Sequence, residues 1–153
     1  MKYAILLMAV YFSVLSCKQN STSNQPAKTE MITSADWKYD NGGFGDNNGN
    51  ITIHFSTISF IPSCTFDNSV RFTSNGQGIA YENLNVCAGA PATANFNWNF
   101  SNNETQLNIS GNAVGGLSGN FRIKELSSTR LTLLKDTTVT GFGAVTAIFE
   151  LKH

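Results

Sequence analysis

The stretch "NFNWNF", residues 95–100, alternates three asparagines with Phe96, Trp98 and Phe100. A strand turns successive side chains to opposite faces, so this spacing sets three aromatic rings on one side and three amides on the other. On a helix the rings would be scattered. The stretch therefore predicts a half-buried β-strand, and the same period of two recurs along the chain. Ile51, Ile53 and Phe55 alternate with Thr52 and His54; Val70 goes with Phe72, Ile79 with Tyr81, Leu107 with Ile109, Phe121 with Ile123 and Leu131 with Leu133. Val145, Ala147, Phe149 and Leu151 end the series. From Met31 onward no segment has a convincing helical period.

Turn chemistry separates these segments. Asn41-Gly42, Asn48-Gly49, Asn75-Gly76, Ser101-Asn102-Asn103 and Gly111-Asn112 are positions where a positive φ is easily adopted. The pattern predicts about eight or nine short antiparallel strands wired as sequential hairpins. Such a chain must hide its strand edges, and an all-β up-and-down barrel of about eight strands does so by closing on itself. A two-sheet β-sandwich is the alternative.

Ahead of the strands, Met1 and Lys2 precede "YAILLMAVYFSVLS", an apolar run short of the roughly 20 residues that a permanent membrane helix needs. That is the shape of a signal peptide. Its end, Val14-Leu15-Ser16-Cys17, resembles a lipobox, where a bacterial lipoprotein precursor is acylated on the cysteine and cut just before it. The resemblance implies a signal peptide over residues 1–16 and an acylated N-terminus at Cys17. Polar residues 17–31, with Pro26 among them, then read as a flexible tether and residues 32–153 as one folded domain. The expected location is the bacterial cell envelope, on the outer membrane, with the lipid bilayer as partner through Cys17.

Ten basic and ten acidic residues cancel, and charged residues make up only 13% of the chain, so nucleic acid is not an expected partner. With Cys17 assigned to lipid, Cys64 and Cys87 remain as an even pair. They flank the hairpin from Val70 to Tyr81, and an exported protein meets an oxidising compartment, so a disulfide between them is expected.

The run "CTFDNSVRFTSNGQG", from Cys64, resembles the C-x-x-D-N, F and N-G pattern of the lipocalin-like domain of small bacterial lipoproteins. So does the order of the other landmarks: Trp37 early, Cys87, "NWNFSNNETQLNI" around Trp98, "FRIKELSSTRLTL", and a closing strand ending at Leu151. The resemblance spans residues 32–152 and implies a calycin-type barrel with Trp37 packed across one end. It departs from true lipocalins at Ala35-Asp36-Trp37, where they carry Gly-x-Trp, so no particular lipocalin ligand is implied.

Chemistry-bearing constellations are sparse. His54 and His153 are too few for a usual zinc site, His54 reads as a solvated strand residue, and no motif sets a nucleophile beside a base. "DNGGFGDNNGN", from Asp40, offers two carboxylates among glycines but lacks the EF-hand glutamate; a hairpin loop at a barrel end explains it better than calcium. Asp136-Thr137-Thr138 resembles a short O-glycosylation acceptor but reads better as a turn between strands. No metal, cofactor or catalytic role is expected. Phe96, Trp98 and Phe100 either line a ligand cavity or fill the barrel. Small residues Gly115, Gly116, Gly119, Gly141, Gly143 and Ala144 speak for a cavity. The expected function is capture of a small, mainly apolar molecule in the barrel; the alternative is a non-catalytic structural or interaction module with a filled barrel.

Overall fold

The computed structural model describes residues 26–111, 113 and 117–153. The expected signal peptide, Cys17, most of the tether, Gly115 and Gly116 lie outside the described residues. Along the chain come α1 (Lys28–Thr33), β1 (Trp37–Gly45), β2 (Ile51–His54), α2 (Phe55–Ile58), a 3-10 turn (Ser63–Thr65), β3 (Ser69–Phe72), β4 (Gln77–Tyr81), β5 (Thr93–Ser101), β6 (Gln106–Gly111), β7 (Gly119–Leu126), β8 (Arg130–Val139) and β9 (Gly143–Lys152). Every pairing is antiparallel. From β3 to β9 each strand pairs with the next, β3 also meets β1, and β9 returns to β1. Eight strands thus close into the expected barrel, and the sandwich is excluded.

The ninth strand, β2, is an addition. It pairs with the far end of β1, Gly43 opposite His54 and Phe44 opposite Ile53, along the edge that meets β3 nearer its start. The wall is correspondingly uneven: β8 and β9 share ten residue pairs, β1 and β3 only two, Trp37 with Val70 and Lys38 with Ser69.

Alternation along β5 does what its sequence predicts. Phe96 and Trp98 are buried inside the barrel, while Asn95, Asn97 and Asn99 are exposed. Phe72 meets both rings edge-on at 5.4 Å, and Trp98 meets Phe100 in the same way, the arrangement that aromatic quadrupoles favour. Leu107, Phe121, Leu131, Leu133 and Phe149 complete the interior.

Three local expectations are corrected. In β4 it is Gly78 and Ala80 that face inward, opposite Phe96 and Ala94, and Ile79 with Tyr81 that face out. The reason is steric: the Phe96 ring lies across Gly78, where a Cβ would come within 2.1 Å of it. Phe55 does not extend the Ile51–Ile53 face, because β2 ends at His54 and Phe55 opens α2, its ring fully buried against Phe44 at 5.1 Å. Asn41-Gly42 is not a turn but lies within β1 beside a bulge between Tyr39 and Asn41. Gly42 is needed there for close approach, since a Cβ would sit 2.9 Å from the Phe55 ring.

Helix α1 begins inside the stretch read as tether and buries Met31 and Ile32 against the barrel. Outside the wall, the loop between β1 and β2 curls over β7, β8 and β9, covering Ile148 and Leu134. Thr146 Oγ1 lies 2.7 Å from the Asn47 side-chain amide and Lys124 Nζ donates to the Gly49 carbonyl at 3.1 Å, fastening the loop down.

Candidate ligand site under the barrel lid

Trp37 packs at the start of β1 as the resemblance implies. Its side chain is fully buried, its Nε1 donates to the Ile32 carbonyl at 2.8 Å, and the His153 ring lies 3.9 Å away. Helix α1 crosses this end, with Lys28 Nζ donating to the Glu104 carbonyl in the turn between β5 and β6.

From β2 to β3 the chain covers the thin part of the wall as a lid, residues 55–68. Ile61 and Thr65 are buried, and Phe66 stacks on Tyr39 at 5.2 Å. The lid's end is clasped to the connection between β4 and β5. Cys64 and Cys87 are joined by the expected disulfide, their Cα atoms 5.3 Å apart. Asp67 Oδ2 accepts from the backbone N–H of Leu84 and of Asn85, both at 3.1 Å. Asn68 Nδ2 donates to Glu82 Oε1 at 3.0 Å, and Glu82 Oε2 accepts from the Cys87 N–H. The C-x-x-D-N run is therefore a clasp: one covalent bond and a set of hydrogen bonds hold a short irregular segment that has no ladder of its own.

Beneath the lid is a cavity of about 20 Å³, the space of roughly one water. Trp37, Ile61, Val70, Leu117, Phe149 and Leu151 supply its apolar lining, and Tyr39, Thr65, Asn68 and Ser69 its polar atoms. Asn68 is 2% exposed, and among the described residues its Oδ1 has no hydrogen-bond partner; nor has Asp67 Oδ1 on the same clasp. An unmatched buried acceptor costs about 1–3 kcal/mol, so two on adjacent residues mark this end as electrostatically distinct. Burial first, then the carboxylates of Glu150 and Asp40, push the Tyr39 phenol up to about 12.

Phe96, Trp98 and Phe100 do not line this cavity. They are packed in another part of the interior, where Trp98 Nε1 donates to the Gln77 carbonyl at 2.9 Å. Larger hollows, about 320 Å³ each, lie elsewhere, one beside Asn75, Gln77, Asn95, Phe96 and Asn97, the other beside Asn47, Arg122 and Lys124. Both are rimmed by side-chain amides that face solvent.

The other candidates are dispersed. Asp40 pairs with Lys152 and Arg130, while Asp46 turns back on its own loop and accepts from the N–H of Asn48 and of Asn50, both at 2.9 Å. These bonds, chiefly those from Asn50, hold the Asp46 carboxyl below the usual carboxylate range. Among the described residues no three His, Cys, Asp or Glu side chains converge on a metal-sized site. His54 is exposed and contacts Asn41 Oδ1 at 3.0 Å. Thr137 is half-buried within β8 rather than in a turn, paired with Val145. Asn68 and Thr65 were missed as site residues, although the C-x-x-D-N run that contains them was visible. Its spacing carries a family pattern and no hint of which atom stays unpaired. The chain matches no protein-family model and no curated protein sequence.

Proposed function

We propose that this protein is a lipocalin-like lipoprotein of the bacterial cell envelope, held on the outer membrane through acylated Cys17. It binds a small, mainly apolar molecule at the lidded end of its barrel and has no catalytic role. The observation that carries the binding reading is Asn68 Oδ1, a buried acceptor without a partner among the described residues, on a side chain that lines a mainly apolar cavity in the least closed part of the wall. Ligand sites are mainly apolar with a few placed polar groups, and this lining has that composition.

Because the cavity is so small, binding displaces part of its cover. The Cys64–Cys87 side is covalently fixed, whereas Leu117 is held by packing and by Lys135 Nζ donating to the adjacent Ser118 carbonyl at 2.7 Å. Leu117 is the side that yields. The anchoring reading rests on the signal-peptide shape and the Val14-to-Cys17 run, and on the even cysteine pair that an acylated Cys17 leaves behind.

Two measurements test the proposal. Intact mass of the membrane-extracted protein is expected to show acyl chains on Cys17; an unmodified N-terminus overturns the anchor. A neutral apolar dye such as Nile red is expected to bind the folded domain saturably. A second reading, a filled barrel that acts through contacts of its outer surface, is favoured by the close packing of Phe72, Phe96, Trp98 and Phe100. It predicts no saturable dye binding.

A further inference from the structure

We infer that the molecule bound under the lid carries a hydrogen-bond donor on an apolar body, an alcohol or an amine, and that Asn68 Oδ1 receives that donor. The inference rests on the ligand-binding reading and deepens it. One N–H of the Asn68 amide is given to Glu82 Oε1, while its oxygen has no partner among the described residues. Thr65 spends its own proton on the Pro62 carbonyl at 2.7 Å and can only accept from anything else.

Among the described residues no lysine, arginine or histidine lines the cavity to meet an anion. The charges that the clasp places beside it are negative, Asp67 with a second unpartnered oxygen and Glu82 bonded directly to Asn68. The Tyr39 phenol is raised first by burial and then by the carboxylates of Glu150 and Asp40. A carboxylate or phosphate head would enter a mainly apolar space beside these carboxylates, with no cation to pair it, and would leave the Asn68 oxygen bare, which costs far more than placing a hydroxyl there. A hydroxyl or ammonium instead satisfies an oxygen that the fold leaves bare. Burial of the apolar body against Trp37, Val70 and Phe149 supplies affinity, and Asn68 supplies orientation.

The test holds the tail constant and varies the head: octanol, octylamine and octanoate are titrated separately into the folded domain, followed by the indole N–H resonance of Trp37. Octanol and octylamine are expected to saturate at concentrations about tenfold or more below octanoate, the scale set by one buried hydrogen bond made or missed. In Asn68→Leu that preference is expected to fall close to one, with an unchanged Trp98 resonance reporting an intact barrel. If Asn68→Leu does not fold, the ranking of the three heads on the unaltered protein still decides. Equal binding of the three, or tightest binding of octanoate, overturns the inference and leaves the ligand-binding reading standing. If none of the three saturates and the cavity holds a water only, the ligand-binding reading itself falls.

Discussion

Around Phe96 and Trp98 the barrel wall is continuous: β5 shares five residue pairs with β4 and six with β6, and the rings on its inner face interlock edge to face. Around Trp37 and Phe149 the wall thins to the two pairs between β1 and β3, and an irregular lid replaces the missing ladder. Both regions are lined by aromatic and aliphatic side chains. They differ in how backbone polar groups are satisfied. A ladder pairs its own N–H and C=O groups and leaves side chains free to pack, whereas an irregular segment recruits side chains such as Asp67 and Asn68 to do the pairing. Polar side chains drawn inward in this way leave a cavity and two bare acceptors, so chemistry collects where the sheet is weakest.

The largest test of that contrast is Trp98→Ala. In a filled region the loss of an indole leaves a void that neighbouring strands cannot collapse into, so unfolding free energy is expected to fall by about 3–5 kcal/mol in urea titrations. A cost under about 1 kcal/mol would show that the aromatic half is as loosely filled as the lidded one. Next comes the clasp. Replacing Cys64 and Cys87 together by serine opens a loop closed over a separation of 23 residues and is expected to cost about 3 kcal/mol. Hydrogen exchange of lid amides, residues 61–68, should rise in that variant more than exchange in β5. Uniform acceleration would mean that the lid is not a separate unit.

Leu117→Ala sharpens the comparison from the other side. Leu117 is 5% exposed but borders existing space, so its loss is expected near the bottom of the range for buried leucines, about 2 kcal/mol, with dye binding retained or improved. The smallest effect belongs to the outer wall. Asp136 accepts from Thr146 Oγ1 and from Arg122, and these bonds hold its carboxyl below the usual range. A depressed carboxyl contributes stability that is present above its unfolded pKa, near 4, and is lost as pH falls through the folded value. Arg122→Ala is therefore expected to cost under about 1 kcal/mol at pH 7, a cost that shrinks as acid protonates Asp136, read as the shift in urea midpoint.

The contrast also explains what the sequence could and could not tell. Strands β5 to β9 were legible because each buries one face of a regular ladder, and burial of one face writes itself as alternation: Phe96 with Trp98, Leu131 with Leu133, Phe149 with Leu151. The turns at Asn75-Gly76 and at Ser101 to Asn103 were legible from local backbone preference alone. Phase failed in β4, because Gly78 faces inward only to admit the ring of Phe96 across the ladder, and a single strand holds no record of its neighbour's size. Around Asp40 the glycines suggested a loop, while their use is close approach within β1. The disulfide was legible as leftover arithmetic. Asn68 was not, since its importance lies in one oxygen left unpaired after Glu82 takes the nitrogen, a fact that exists only once residues 14 positions apart are brought together.

The central claim is that ligands enter beside Trp37 and not beside Trp98, and the two indole N–H resonances, one from each region, test it directly. Under titration with octanol, the account predicts that the Trp37 resonance shifts and saturates while the Trp98 resonance stays within its line width. A saturating shift at Trp98 with Trp37 unmoved, or no saturable shift at either, would contradict it.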